Sequence, residues 1–550
     1  MPFYREFFRY TYIGFHVYLL TLPLLNKNPN RNIKAQINMS NDLEESLKTI
    51  AKGGAIIFIG MIIGNVIGLF FSILCGRFLG IELYGQYNLA LSIISILETI
   101  ALFGLIGSLP RFIPFHLRKR EKDAVKSTIR FSMKFVLCTS LTIGLILFLI
   151  SPWLATNIFH QSNLGIVLRC LAIGLPFLAL TDTLSAIIRG FKEVKYQVII
   201  YQVGNNAVKL TIFILLFLIG YRLFGAIFAY LGAIIFTFFV AYYIIRKKIF
   251  QDYSDYNKIP IGNKLLSFTW PLGITAIVSL LISKTDVILI GYYLNTQDVG
   301  IYAAALTIAS LLNIISTAFA YIFLPVVSGL FGKGEMTVLN SIFKSASKWM
   351  FLIVFPMLLY ILLFSKEIIT LLYGANYSIG YLAFIILAIG TSLGNLTGFT
   401  GSILVGSGRT KLNLLCEVVP GLCNVIFNIT LIPRFGIIGA AIGNCSAYSI
   451  RTILFVAFVY KATKMQPFTK DYYKIILIGF LLLGLIYFLK SYIVSYLYFP
   501  VSMILLGLVL LCVYIGSLLI THSLDINDKI ILRVFMKKLG LKLNFFRKFI

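Results

Sequence analysis

The sequence predicts an all-α polytopic membrane protein of about fourteen transmembrane helices, built as two parallel six-helix repeats followed by two further helices. Three observations carry this reading: a composition too apolar for a water-soluble domain, a succession of helix-length hydrophobic runs, and an internal similarity at a fixed shift. Of 550 residues, 59% are hydrophobic and 12% charged, whereas soluble chains hold about 45–50% apolar and about 25% charged residues. The mean hydropathy is +0.92. Disorder, collagen, coiled coil, disulfide scaffold and ordinary soluble enzyme are excluded together.

A helix needs about 20 apolar residues to cross the hydrocarbon core of a bilayer. Runs of that kind lie at 54–75, 87–109, 131–150, 165–188, 198–219 and 223–245. A second series lies at 267–293, 299–324, 347–364, 379–405, 412–432 and 436–460, and a last pair at 474–493 and 499–520. None has the ten-residue alternation of an outer-membrane barrel. Helices satisfy their own backbone groups in lipid, so they are the expected solution.

Basic residues give the orientation. Loops after the even-numbered spans carry seven in 111–130, three in 189–197, five in 246–264, three in 325–348, two in 406–413 and four in 461–474. Loops on the other side carry only Arg77, Arg222, Lys366, Arg434 and Lys490. The positive-inside rule therefore places the even-numbered loops and both termini in the cytoplasm. The net charge of +28 is mostly this topology signal, and no nucleic-acid partner is needed to explain it.

The front of the chain departs from the plan. Residues 10–25 form a short apolar run broken by His16 and Pro23, and no small-residue cleavage site follows it. Met39 opens a polar lead-in to the first span, with Ser40 or Asn41 as its helix cap. The expectation is that translation starts at Met39. The organisation expected is then an N-terminal segment at 1–50, lobes at 51–250 and 265–462, two extra helices within 474–520, and a basic cytoplasmic tail at 521–550.

Seven cysteines lie mostly in apolar stretches without a C-x-x-C pair, and four histidines are scattered. They read as buried small residues and isolated rings rather than metal ligands or disulfides.

Shifting the chain by 215 places Gly76 and Leu79 on Gly291 and Leu294. The same frame puts Gly85, Tyr87, Ala90, Leu91 and Ile93 on Gly300, Tyr302, Ala305, Leu306 and Ile308. Leu109 and Pro110 land on Leu324 and Pro325, and Gly225-Ala226 on Gly439-Ala440 at a shift of 214. An even number of spans per repeat makes both halves cross the membrane in the same sense, related by an axis along its normal. Two lobes rocking around a central cleft is a transporter plan.

Three segments carry a family resemblance: GRFLGIELYGQYNLALSIISILETIALFGLIGSLPRFI at 76–113, SKTDVILIGYYLNTQDVGIYAAALTI at 283–308, and GRTKLNLLCEVVPGLCNVIFNITLIPRFGIIGAA at 408–441. Together with the span count, they resemble the Wzx-like polysaccharide transporters of the multidrug/oligosaccharidyl-lipid/polysaccharide exporter superfamily. The resemblance implies a flippase in a prokaryotic cytoplasmic membrane, moving a polyprenyl-phosphate-linked oligosaccharide to the outer leaflet. A glycan polymerase or glycosyltransferases would act beside it. Lys284 stands where the family motif often has arginine, which keeps the charge but loses the bidentate fork.

Ionisable residues inside spans cost about 2.5–3.5 kcal/mol each at mid-helix, so each needs water, a partner or a task. Lys134 and Arg169 lie near span ends and can snorkel. Asp182 sits two turns before Arg189 on one helix face, Glu417 is within reach of Lys411 or Arg409, and Arg451 is deep. Glu98, Lys209, Lys284 and Asp286 lack such local explanations. A cation in a wet cleft attracts phosphate, so Lys284 and then Lys209 are the substrate-binding candidates. Glu98 and Asp286 are the candidates for coupling to H+ or Na+, with no other cofactor expected. Lys284 and Asp286 are two apart and point to different helix faces. Their repeat partners are Leu69 and Phe71, and that of Glu98 is Asn313. Pro271, near the start of the seventh span, is the expected hinge.

Rival readings are a cation-coupled multidrug exporter of the same superfamily, which would use Glu98 and Asp286, and a flippase for the peptidoglycan precursor. An enzyme is disfavoured because the chain has no D-x-D motif, no sizeable outer loop and only 20 acidic residues. No catalytic or metal-ligating residue is assigned.

Overall fold

The computed structural model describes residues 29–249, 259–317, 334–468, 471–496 and 499–520, with scattered positions in 318–333 and side chains from residue 59 onward except at a few helical positions. The apolar run at 10–25, part of the loop at 246–264 and the basic tail at 521–550 lie outside them. Within the described residues the chain is helical and has no strand. Ten helical stretches are long and apolar enough to cross a membrane, and the bent α7 described below is one more.

Several stretches are too long for one crossing. Helix α1, Pro29–Leu102, has 74 residues, about twice what a bilayer with its headgroups requires at ~1.5 Å per residue. It is interrupted at Gly80, where φ is 78° and ψ 175°, a backbone region that only glycine enters freely. Helix α1 also runs through Ser40 and Asn41 without a cap, so the helix start expected there is not one. The short α2, Leu105–Arg118, continues α1 beyond a break at Phe103 and Gly104, both with positive φ. Helices α3, Lys122–Trp153, α4, Ser162–Gly190, α5, Asn205–Leu218, and α6, Leu223–Ile244, complete the first half.

The second half holds α7, Gly262–Tyr293, α8, Thr296–Ser310, α9, Met336–Tyr373, α10, Tyr381–Leu396, the short α11, Thr400–Gly406, and α12, Thr410–Thr463. Helix α12 has 54 residues and is interrupted at Gly436, with φ 58°. The turn between α7 and α8 falls at Asn295, the position that a shift of 215 assigns to Gly80. There the corner is made differently: the Asn295 side chain accepts from the Asp298 amide at 2.9 Å and caps α8.

The repeat also makes a contact with itself. Gly85 and Gly300 are equivalent at that shift, and they lie against one another where α1 crosses α8. A Cβ on Gly85 would fall on the Thr296 carbonyl oxygen, and one on Gly300 on that of Ile81. Small residues let helix backbones touch in a membrane. Gly64 does the same toward the Gln202 carbonyl, and Gly60 and Gly68, on the same helix face, lie against the Val198 and Asn206 side chains. Asn206 Nδ2 seals that seam by donating to the Gly64 carbonyl at 3.1 Å.

The extra pair, α13, Asp471–Tyr496, and α14, Phe499–Ile520, packs on α9. A separate core joins Phe351, Leu359 and Leu363 to Ile475, Ile486 and Leu506. Both ends of the junction are ionic: Lys348 Nζ meets Asp471 Oδ2 at 2.8 Å, and Lys490 Nζ meets Glu367 Oε1 at 2.5 Å. Lys348 is 1% exposed. Of the cysteines, Cys75 and Cys416 are buried as expected, while Cys138 and Cys512 are exposed. His116, at the end of α2, pairs through Nδ1 with Glu121 at 2.5 Å and holds that carboxyl below the usual carboxylate range.

Removing one partner of a buried ion pair leaves the other charge uncompensated. Asp471→Asn is therefore expected to destabilise the protein by about 3 kcal/mol, read as a lowered melting temperature in detergent. A neutral result would show that the Lys348–Asp471 pair adds nothing to the seating of α13.

Candidate functional site

Helix α7 changes partners along its length. Its first part packs on the first half: Thr269 Oγ1 donates to Ser108 Oγ at 3.0 Å, and a Cβ on Gly104 would press on Gly273. Its last part packs on α8 and α12 of the second half, while Gly291 there still meets Leu89 of α1. Between Gly262–Leu280 and Ser283–Tyr293 the axis bends by 52°. Pro271, the expected hinge, lies inside the first piece, and the bend falls after it.

Lys284 and Asp286 come directly after this bend. Asp286 is fully buried and accepts from three donors. Its Oδ2 accepts from Tyr302 of α8 at 2.5 Å and from Asn444 Nδ2 of α12 at 3.2 Å, while Oδ1 accepts from the Val287 amide at 3.0 Å. Around it the amide side chains leave oxygens over. Asn428 Nδ2 donates to Asn424 Oδ1, yet the buried Oδ1 atoms of Asn428 and Asn444 have no partner. Buried polar atoms without partners are uncommon. Asn428 Oδ1 lies against Gly443, the residue before Asn444, between the two limbs of α12. Lys284 is half-buried and has no hydrogen-bond or ion-pair partner among the described residues.

The first half carries different chemistry. Glu98 of α1 faces Asp182 of α4, carboxyl to carboxyl at hydrogen-bonding distance, with Arg189, Tyr201 and Tyr230 around them. The reading of Asp182 as the partner of Arg189 is thus incomplete: Arg189 is near, but its Nη2 donates to the Ile106 carbonyl at 3.4 Å. Glu98 Oε1 is buried without a partner. Lys209 of α5 is half-buried, with Nζ 4.7 Å from the centre of the Phe71 ring, a cation–π arrangement, and Cys75 close by. The four sequence candidates therefore fall into three places. Lys284 and Asp286 share one, and Glu98 and Lys209 stand in two others.

Arg451 and Glu417 form the pair that sequence reasoning missed. Nη2 meets Oε1 at 2.6 Å and Nε meets Oε2 at 2.9 Å, a bidentate clasp between the limbs of α12. Lys411 and Arg409 are not its partners. The signal was available in principle, since Glu417 and Arg451 lie at matching depths on antiparallel limbs. Tyr448, one turn before Arg451 and bonded to Asn313, lies between this clasp and Asp286.

Buried carboxylates, cations and orphan amide oxygens among membrane-spanning helices define a multi-pass transporter-type membrane protein. The sequence comparisons name the family. Residues 50–331 match the polysaccharide biosynthesis protein family, and residues 271–430 match the MatE family. The chain belongs to the polysaccharide biosynthesis protein family, within the multidrug/oligosaccharidyl-lipid/polysaccharide exporter superfamily.

It is 26% identical over 425 residues to the uncharacterized membrane protein MJ1068 of Methanocaldococcus jannaschii, covering 74% of this chain and 83% of that one. It is 30% identical over 172 residues to the probable low-salt glycan biosynthesis flippase Agl15 of Haloferax volcanii, covering 31% of this chain and 36% of that one. A putative O-antigen transporter of Shigella flexneri is 25% identical over 391 residues, with 69% and 89% covered. Among solved structures, the lipid II flippase MurJ in an inward closed conformation shares the fold at a TM-score of 0.67, with 18% identity and 88% and 99% covered. An inward-facing multidrug resistance MATE transporter follows at 0.61, with 16% identity and 73% and 94% covered.

The Glu417–Arg451 clasp makes a measurable prediction. Glu417→Ala and Arg451→Ala should each destabilise the protein by about 3 kcal/mol, and the double change by less than their sum. Unfolding in detergent would give a coupling energy of about 1–3 kcal/mol; additive losses would mean the two side chains act independently.

Proposed function

We propose that the protein is a flippase that carries a polyprenyl-diphosphate-linked oligosaccharide from the cytoplasmic to the outer leaflet of a prokaryotic plasma membrane. Fourteen spans, counted by splitting α1 at Gly80 and α12 at Gly436, form two six-helix lobes and an appended pair. The lobes rock about a central cleft, and both termini lie in the cytoplasm. Membership of the polysaccharide biosynthesis family and relatives named as glycan flippases or O-antigen transporters support this reading. The proteins with assigned roles among those relatives are transporters, which favours a non-enzymatic role here too.

The observation that carries the proposal is Lys284. A half-buried ammonium that feels the charge of Asp286 but has no hydrogen-bond or ion-pair partner among the described residues, set immediately after the bend of α7, calls for water or an anion to complete its solvation. The diphosphate of a lipid-linked sugar supplies that anion, whereas an organic-cation exporter would be opposed by it. Lys209, turned onto Phe71, is the secondary candidate. Flexion of α7 then centres on 280–283, with Pro271 inside the piece that stays with the first lobe.

Coupling falls to the acids. Asp286, with the spare amide oxygens of Asn428 and Asn444, offers the hard oxygen ligands that suit Na+, a monovalent cation needing no cluster of carboxylates. Glu98 facing Asp182 offers a place for a coupling proton. The two sites lie in different lobes, so ion replacement distinguishes them.

Depleting the protein should make one completed polyprenyl-linked oligosaccharide accumulate in lipid extracts analysed by mass spectrometry, with loss of the matching surface glycan. Lys284→Ala should reproduce that accumulation at normal expression, and Lys284→Arg should relieve it. Cells that instead become sensitive to cationic drugs, without accumulating such a lipid, would favour the exporter. Asp286→Asn should abolish any sodium dependence of export while leaving pH dependence in place.

A further inference from the structure

Loops on the basic-poor side hold five basic residues, and Lys490 is accounted for by its pairing with Glu367. Arg77 is the next to need a reason. Its side chain reaches across from the first half to the end of α9, where Nε donates to the Leu372 carbonyl at 2.8 Å and Nη2 donates to that of Leu371. These are among the last carbonyls of a helix that ends at Tyr373, left without intrahelical donors and carrying the negative end of the helix dipole. A guanidinium fork is the side chain best suited to cap them.

Beneath this exposed cap lies a buried chain of hydroxyls. Tyr377 donates to the Gly76 carbonyl at 2.8 Å. Ser72 Oγ bonds Tyr84 OH at 2.6 Å and Tyr373 OH at 2.9 Å. The three tyrosines are each 2% exposed, and their rings lie 5.4–6.2 Å apart. Gly85, next to Tyr84, makes the backbone contact with Thr296 and Gly300. Every one of these interactions except the Ser72–Tyr84 bond and the Tyr373–Tyr377 ring contact joins the first half of the chain to the second, and all lie at one end of the bundle.

The repeat does not copy this arrangement. At a shift of 215, Ser72, Arg77 and Tyr84 become Val287, Tyr292 and Val299. The hydrogen bonds therefore stand on one side of the pseudo-twofold axis only, while the Gly85–Gly300 contact sits on both repeats alike.

We infer that Arg77, with the Ser72–Tyr84–Tyr373–Tyr377 cluster, is the latch that holds the two lobes together at the outer face and is released when the cleft opens for cargo to leave. The inference rests on the flippase reading for its cargo and on the positive-inside rule for its sidedness; the contact itself needs neither. The bonds suit a reversible device. A hydrogen bond within the protein exchanges against bonds to water, so its net strength is modest, and the groups released at the membrane surface are rehydrated as the lobes part. Arg77 is already exposed, which makes it the first bond to go.

The test uses the full chain in lipid nanodiscs, spin-labelled at Asn163→Cys and Arg434→Cys, with Cys138 and Cys512 changed to Ser. Both label sites are exposed and lie at the outer corners of different lobes. Arg77→Gln should raise the fraction of long inter-label distances roughly tenfold, and Tyr377→Phe roughly threefold. Arg77→Lys, which keeps charge without the fork, should fall between wild type and Arg77→Gln. A distribution unchanged in both Arg77→Gln and the Arg77→Gln/Tyr377→Phe double variant, with melting temperatures confirming folded protein, would overturn the latch. Lengthened distances in a protein whose depletion accumulates no lipid-linked sugar would uphold the latch and remove the flippase reading. Unchanged distances with sugar accumulation on depletion would do the reverse.

Discussion

Charge in a medium that cannot solvate it is the constraint on which the rest of this molecule depends. Each ionisable group placed deep in a span has found a different answer. Arg451 and Glu417 neutralise one another with two parallel bonds. Asp286 is met by a tyrosine, an asparagine and a backbone amide from three segments. Lys209 lies on the face of Phe71. These answers also decide the packing, because a charge can be satisfied from another helix only if that helix is held at one depth and one rotation. The clasp fixes the two limbs of α12, Asp286 fixes α7 against α8 and α12, and Lys348 with Lys490 fixes α13 along α9.

The same constraint separates structure from function. A charge met by three donors, such as Asp286, has a structural role before it has any other, and only the amide oxygens left over beside it point to a ligand. Lys284 is the converse case, a cation two residues away that feels the charge of Asp286 but makes no hydrogen bond or ion pair among the described residues. Placing both after a bend matters physically. Before the bend α7 meets Ser108 and Gly104 of the first half, and beyond it Asp286 is bonded to α8 and α12 while Gly291 still touches Leu89 of α1, so this stretch bridges both halves.

Much of this was legible in the sequence because hydropathy and charge bias are properties of single segments. The all-helical class and the apolar helices long enough to cross a membrane needed no knowledge of partners. The frame that pairs Gly85 with Gly300 was readable as similarity, but not the fact that the two residues touch. What stayed hidden depended on contact between segments. Glu417 had plausible local partners at Lys411 and Arg409, and nothing in the local pattern told against them. Asp182 had Arg189 two turns away, yet its nearest group is Glu98 from another helix. The bend in α7 escaped as well, because Pro271, the local cue, lies before it.

The inequality of the two halves then follows from the repeat itself. Duplication gives two copies of a scaffold, and an identical pair of charge sites would respond identically to the same ion. Here the position of Asp286 is taken in the first half by Phe71, and an ammonium from Lys209 already lies against that ring. The position of Glu98 is taken in the second half by Asn313, bonded to Tyr448. One half therefore combines a carboxylate with unpartnered amide oxygens, and the other combines a tethered cation with a carboxyl pair. Two halves that differ in this way have unequal affinities for any cation, and a bound cation can bias a rocking equilibrium only through such a difference. On the flippase reading proposed above, the repeated scaffold supplies the rocking motion and the unequal charges supply its direction.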